Sequence, residues 1–433
     1  MKRFVSIKEL LSDGDYYPYY NDTILVDEID KKLLSRFEYH INKSKCFFAE
    51  IYVEREWRDL YSLHYCKTNY DSSDKVIRIH FVSSKVLQKD INNSNYLGYI
   101  TIRPIPVALN IVSRARLLYC IDMYNIKKNE LVINQTMNTS VNFLHTRITY
   151  KTFPYTTQDS VVTVCAHADI LMLSKYLYKN FNFNFLSINK LVDSITPTNG
   201  RKTPSQGLTV QNIIEVLNEN NYNPSLIRLN NLKIDIKNMN IDFKEIVDVT
   251  LRSGLLAMFV FSNHVVIISG FIIKENGTKE YIIFDDSTYF MNKYFDSSSY
   301  SSNVTFSKIQ KATEQYERQF LIIPTFDRFY FKYKDLYLLL NVKGGLKDAI
   351  CKLNKKAKID IAYEATLIET IVLKQRFENI DLKNIGHFVW MVKWYLKDTF
   401  IGMSVVDAVA HCNDRYKSIK IEFIKVDDLK RRV

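Results

Sequence analysis

Between Arg252 and Lys274 the chain runs for 21 residues without a formal charge, SGLLAMFVFSNHVVIISGFII. So long an uncharged run has two outlets, a helix that crosses a bilayer or a buried core. Its interior argues for the core. Ser262, Asn263 and His264 fall together at the middle, where a bilayer makes polar groups most expensive. Gly254 and Gly270 flank two shorter runs rich in β-branched and aromatic residues, each the length of one buried strand. The segment predicts two consecutive core strands with a turn at Ser262 and Asn263, and no membrane span.

The surrounding sequence reads as a mixture of helix and strand. Asn276 and Gly277 form a hairpin signal, and 281–284 reads as a further strand. Upstream, Asp159 and Ser160 precede an apolar-periodic stretch over 164–178, where Ile170, Leu173 and Leu177 fall at helical spacing. Residues 204–207 read as a turn. Thr209 is the predicted N-cap of a second helix carrying Ile213, Ile214 and Leu217, and 241–251 is a third helix ended by Gly254. Nearer the N-terminus, 26–37 has helical spacing. Residues 75–82 alternate, with Ile77, Ile79 and Phe81 on one face and Arg78 and His80 on the other, as a half-buried strand does. Residues 96–105 form another strand ending at Pro104 and Pro106. Beyond residue 308, segments 359–372 and 387–395 are rich in β-formers.

A chain of 433 residues needs two or three domains. The pattern divides it into an N-terminal α/β domain (1–150), a central domain (151–306) and a β-rich α+β C-terminal domain (307–433), an α+β protein as a whole. With 47% hydrophobic and 13% aromatic residues the cores are well supplied, which excludes a disordered chain. Six cysteines are widely scattered with no CxxC pair, and the first residues lack a signal-like apolar core. Together these predict a reducing, cytoplasmic setting rather than a disulfide framework.

Net charge is +12, and it is uneven: +4 over 1–150, zero over 151–300 and +8 over 301–433. The C-terminal region, with the tail Lys430, Arg431 and Arg432, is therefore the candidate surface for nucleic acid or another anionic partner. Trp390 and Trp394 beside Lys393 and Lys397 could stack bases there, although such residues are more often core with a basic rim. Glu54, Glu56, His64 and His80 match no metal-site spacing, so no metal or cofactor is expected.

The chemistry concentrates in the central region. A nucleophilic cysteine needs a stabilised thiolate and a base beside it. Cys165 stands at the predicted start of a helix, where free N–H groups and the helix dipole favour an anion. The other five cysteines lie in or beside strand-like or irregular segments. His264 opens the second core strand. The next strand ends in Asp285 and Asp286, so a hairpin returns a carboxylate to the same sheet edge as the imidazole. Such a carboxylate fixes the ring tautomer and holds the imidazolium. His167, two residues after Cys165, lies on a different helix face and does not pair with it.

The order of glutamine, helix-start cysteine, histidine strand and Asp-Ser step resembles the papain-like cysteine peptidases, in particular the branch that cleaves bacteriocin leaders at double-glycine sites. The matching residues are Gln158, Cys165, His264 with Val-Val-Ile-Ile-Ser-Gly270-Phe271, and Tyr281-Ile-Ile-Phe-Asp285-Asp286-Ser287. Gly207-Leu208 and Arg252-Ser253-Gly254 are similar to the family's lead-in. The resemblance covers about residues 152–300. Six residues separate Gln158 from Cys165 where the family usually has five, and Val164 and Ala166 replace its usual flanking residues. It implies a papain-like central domain acting on a protein or peptide substrate. Cys165 would be the nucleophile, His264 the base and acid, Asp286 the orienting carboxylate with Asp285 as second choice, and Gln158 an oxyanion donor. The same residues would serve a transglutaminase or deamidase. A third alternative is a binding protein in which the papain-like part is only a scaffold.

Overall fold

A computed structural model of the chain describes residues 1–11, 13, 35–69, 73–104, 112–124, 126–127, 129–143, 146–196, 202–230, 232–236, 239–287, 301–327, 329–354, 361–377, 385–409 and 421–425. The fold is mixed α+β, with helices and several antiparallel sheets. The first part of the predicted helix over 26–37, Pro106, Cys412 and the basic tail lie outside the described residues.

The chain forms two compact units, residues 1–232 with 256–322, and residues 233–255 with 323–433. These are not the divisions predicted at 150 and 306. The physical reason is a strand exchange within the first unit: Leu131–Asn134 leaves the N-terminal region and pairs with His264–Ile273 in the central sheet. Segments 1–150 and 151–306 therefore share a sheet.

The uncharged segment is two strands, Ala257–Phe261 and His264–Ile273, paired antiparallel with Phe261 opposite His264. Ser262 makes the turn with φ of 54°, a left-handed conformation that a tight hairpin needs. Every residue from Ala257 to Ile272 is buried except Ser262 and Asn263 at the turn. Among the described residues no helix is long and apolar enough to cross a membrane. The sheet runs in the order Ser301–Thr305, Lys279–Phe284, His264–Ile273, Ala257–Phe261, Gln319–Ile323, Ser225–Leu229. Gly270 sits at a bulge in it. A Cβ there would lie 2.2 Å from the Ile133 carbonyl oxygen and 2.7 Å from Asn134 Cα, so only glycine admits the extra strand.

A second sheet in this unit orders Lys2–Phe4, Cys46–Tyr52, Val76–Val82, Tyr96–Ile102 and Val112–Leu117. The strand predicted over 75–82 is present but buried on both faces. Arg78 lies over the Tyr52 ring at 3.1 Å and near Tyr99 at 4.6 Å, and His80 lies between the Tyr96 hydroxyl at 2.7 Å and Glu50 at 3.1 Å. Aromatic stacking and hydrogen bonds thus replace solvent for both polar residues. Glu54 and Glu56 engage Arg114, so they share no site with His80.

The helix Cys165–Phe181 packs on the strand His264–Ile273. It is apolar almost all round, and from Ala166 to Ser174 every side chain is buried. Thr209 caps the helix Val210–Glu219 by accepting the Asn212 N–H, and Asn212 Oδ1 accepts the Thr209 N–H, a reciprocal arrangement worth about 1 kcal/mol.

In the second unit, Asp242 caps the helix Phe243–Arg252, which ends at Gly254 with φ of 76°. Ile241, predicted as helix, instead belongs to the strand Met239–Asp242. Four antiparallel strands, Ile361–Glu369, Phe388–Leu396, Thr399–Asp407 and Ile421–Lys425, form its sheet. The β-rich run over 359–372 turns into the helix Thr370–Arg376 after Glu369. Trp390 and Trp394 are buried and donate to the Phe331 carbonyl and the Ser404 hydroxyl, at 2.7 and 2.9 Å. They are core residues and present no face to bases.

Candidate active site

The site lies within the first unit, where the Cys165 helix meets the His264 hairpin. Cys165 is the first residue of its helix, half-buried, with its N–H in the turn that lacks intrahelical acceptors. The loop before it is built by Asp159. Its Oδ1 accepts the N–H of Thr163 at 2.6 Å and the Thr163 hydroxyl at 2.5 Å. Its Oδ2 accepts the Val162 N–H at 3.1 Å and the Tyr65 hydroxyl at 2.7 Å. A buried carboxylate with four donors is well compensated, and here it fixes where the helix begins. His167 accepts the Val164 N–H on Nδ1 at 3.3 Å. Burial, only partly opposed by Asp159, lowers its pKa to about 4, so it is a neutral capping residue.

Cys165 Sγ points at the Asn263 carbonyl at 4.0 Å and touches the His264 side chain. His264 opens its strand and is buried. Its Nε2–H donates to Asp285 Oδ1 at 3.0 Å. Burial alone would disfavour the imidazolium. The charge and hydrogen bond of Asp285, the Cys165 contact and the charge of Asp286 outweigh it and raise the pKa well above the usual histidine range.

Asp285 follows the last residue of the strand Lys279–Phe284. Its Oδ1 also accepts the Ser287 N–H at 2.8 Å, and its carbonyl accepts the Tyr155 hydroxyl at 2.8 Å. This Asx-type turn aims the carboxylate at the ring. The residue hydrogen-bonded to His264 is thus Asp285, where the sequence favoured Asp286. The Asp-Ser spacing selected the second aspartate; the strand ends at Phe284 as expected, and the turn that follows it presents the first carboxylate to the ring.

Asp286 is fully buried, with neither carboxyl oxygen hydrogen-bonded by a side chain. Its carbonyl accepts from Arg36 at 3.2 Å. Burial and the neighbouring Asp285 charge push its pKa up to about 7, against the pull of His264, Arg36 and the Gln158 backbone N–H. The Gln158 backbone is therefore beside Asp286, and Arg103 steadies it by donating to the carbonyls of Gln158 and Thr157 at 2.8 and 2.7 Å. The ligand-capable atoms of His264, Asp285 and Asp286 lie within 4.8 Å of one another. The hydrogen bond between His264 and Asp285 already accounts for two of them.

Arg36, Tyr155 and Asp169 were not singled out in the sequence. Asp169 carried a signal, as the only carboxylate in the Cys165 helix and one turn after the cysteine. Arg36 and Tyr155 carried none, because their roles depend on chain segments far away in sequence.

No described protein family matches the chain, and no curated protein does. Among solved structures, the crystal structure of UfSP from C. elegans is similar with a TM-score of 0.29 and 13% identity. The match covers 48% of this chain and 37% of that one.

Proposed function

We propose that this chain is a cysteine-dependent acyl-transfer enzyme with a papain-like core, acting on a protein or peptide substrate. The observation that carries the reading is the His264 ring. It holds Asp285 on Nε2 at 3.0 Å and contacts the Cys165 side chain at a helix start. With Nε2 engaged, Nδ1 is the nitrogen available to the sulfur.

The reaction follows from these positions. The Cys165 thiolate attacks the substrate carbonyl carbon, and the oxygen takes up the electron pair. The Cys165 N–H and the Gln158 side chain stabilise that oxyanion. His264 gives its proton to the leaving amine as the C–N bond breaks, leaving a thioester and a neutral imidazole. Water then attacks the thioester, His264 takes its proton, and the thiolate leaves as the carboxylic acid product forms. Asp285 orients the ring and stabilises its charged form throughout.

The test is incubation of the full chain with a fluorogenic peptide library, alone and with a primary amine. Cys165-dependent release with a free carboxylate product supports peptide hydrolysis. Cys165-dependent capture of the amine assigns the reaction to transamidation. Release that persists in Cys165→Ala overturns the reading.

A further inference from the structure

The turn that presents Asp285 is held by side chains far away in sequence. Tyr155 donates its hydroxyl to the Asp285 carbonyl at 2.8 Å, and Arg36 donates Nη2–H to the Asp286 carbonyl at 3.2 Å. Both donors are buried, with exposures of 0% and 5%. The Arg36 guanidinium lies over the Tyr155 ring at 5.6 Å, and the Phe153 ring stacks on Phe284 at 3.6 Å. Residues 284, 285 and 286 are thus each gripped by a different side chain.

Tyr155 is itself fixed to a strand edge. Its carbonyl accepts the Ala115 N–H at 3.1 Å and Arg116 Nη1–H at 2.7 Å, and the Thr157 N–H donates to the Ser113 carbonyl at 3.1 Å. Residues 155–157 therefore run along the strand Val112–Leu117, with an antiparallel bridge between Arg114 and Thr156.

We infer that Tyr155 and Arg36 are positioning residues of this site: by holding the carbonyls of Asp285 and Asp286 they set the turn that aims the Asp285 carboxylate at His264. The catalytic consequence rests on the proposed acyl-transfer reading, but the placement of the carboxylate does not.

The hairpin alone does not supply this placement. Its ladder stops at the pair Ile267 and Phe284, three residues short of His264. Beyond that pair, Asp285 Oδ1 accepts the Ser287 N–H at 2.8 Å, which fixes the carboxylate to its own turn and leaves the turn free to shift against the ring. A buried carbonyl needs a donor in any fold. These two donors come from outside the hairpin and act on the two residues next to the imidazole, so they also set its distance to Asp285. A misplacement of about 1 Å in a catalytic group can cost about 100-fold in rate.

The direct experiment is the side-chain ¹⁵N titration of His264 in the full-length chain, assigned by its absence from His264→Ala, which needs no turnover. Asp285, Asp286, Asp169 and Cys165 face the ring and are the same in each variant compared. Tyr155→Phe removes one hydroxyl and no charge. Its His264 midpoint should fall by more than about one pH unit, because a turned carboxylate stabilises the imidazolium less. Arg36→Met gives an independent test if Tyr155→Phe fails to fold. Loss of a positive charge would by itself raise the midpoint, so a fall there reports the turn, and Arg36→Lys should restore most of it. In turnover, Tyr155→Phe should lower kcat by about tenfold or more with KM nearly unchanged. A merely structural role would lower the melting temperature and leave the His264 midpoint where it was. An unchanged or raised midpoint in either folded variant overturns the inference. If the midpoint falls as expected but the parent shows no Cys165-dependent turnover, the positioning stands and the acyl-transfer reading fails.

Discussion

Asp285 accepts the Nε2–H of His264 at 3.0 Å, while the next residue, Asp286, is fully buried with no side-chain hydrogen bond to either carboxyl oxygen. Two adjacent aspartates at one strand end thus have separate jobs. One is a charged hydrogen-bond acceptor, and the other is held close to neutrality by its surroundings.

Replacing each aspartate should separate these jobs. Asp285→Ala is expected to lower kcat/KM by about 100-fold or more, because the ring loses its orientation and its counter-charge. Asp285→Asn should retain part of that activity, since the amide preserves an acceptor. Asp286→Asn should remain active. Steady-state kinetics on a cleaved peptide check the order, and a silent Asp285→Ala with a damaging Asp286→Asn would return the orienting role to Asp286.

Asp286 also predicts a pH dependence of stability. Its pKa is 3.8 as a reference and about 7 in the fold, raised first by burial and then by Asp285. The folded state therefore keeps a proton that the unfolded chain releases from about pH 4 upward. Stability from this group is fully present below pH 3.8 and is lost as pH rises to about 7. Asparagine has no proton to lose. Thermal melts should show Asp286→Asn gaining on the parent between pH 4 and 7, by a few degrees at pH 8. His264, whose pKa is also raised, contributes a separate dependence present in both proteins. A constant difference across pH would refute the buried-acid account.

Cys165→Ala should abolish acyl transfer with a small change in melting temperature, because a half-buried helix-start side chain contributes little packing. A loss of stability beyond about 2 kcal/mol would identify Cys165 as a core residue instead.

Gly270→Ala should destabilise by about 1–3 kcal/mol. The new Cβ meets the backbone of Ile133 and Asn134, which cannot retreat without unpairing the strand Leu131–Asn134. Limited proteolysis should then cut within that strand faster than elsewhere. Unchanged melting and proteolysis would show that the strand is dispensable.

The hairpin was legible because its signal is local. An uncharged run, two glycines and a polar turn admit few structures, and the turn fell at Ser262 as expected. The helix start at Cys165 was equally local. What the sequence hid were burials that depend on distant partners. Arg78 and His80 looked like a solvent face, but Tyr52, Tyr99, Tyr96 and Glu50 cover them. Trp390 and Trp394 could be read as stacking platforms until Phe331 and Ser404 took their N–H groups. The choice between the two aspartates hung on the turn after Phe284, where Asp285 Oδ1 accepts the Ser287 N–H and meets the ring, a detail that periodicity does not carry.

The central claim is that His264 activates Cys165. The most direct measurement is the rate of iodoacetamide alkylation at pH 6, mapped by peptide mass spectrometry in the parent and in His264→Ala. Exposure alone favours Cys66, which is open to solvent, over the half-buried Cys165. The account predicts that Cys165 is alkylated first in the parent and slows by about tenfold or more in His264→Ala, while Cys66 is unchanged. Cys66 reacting first in the parent, or Cys165 reacting at the same rate in both proteins, would contradict it.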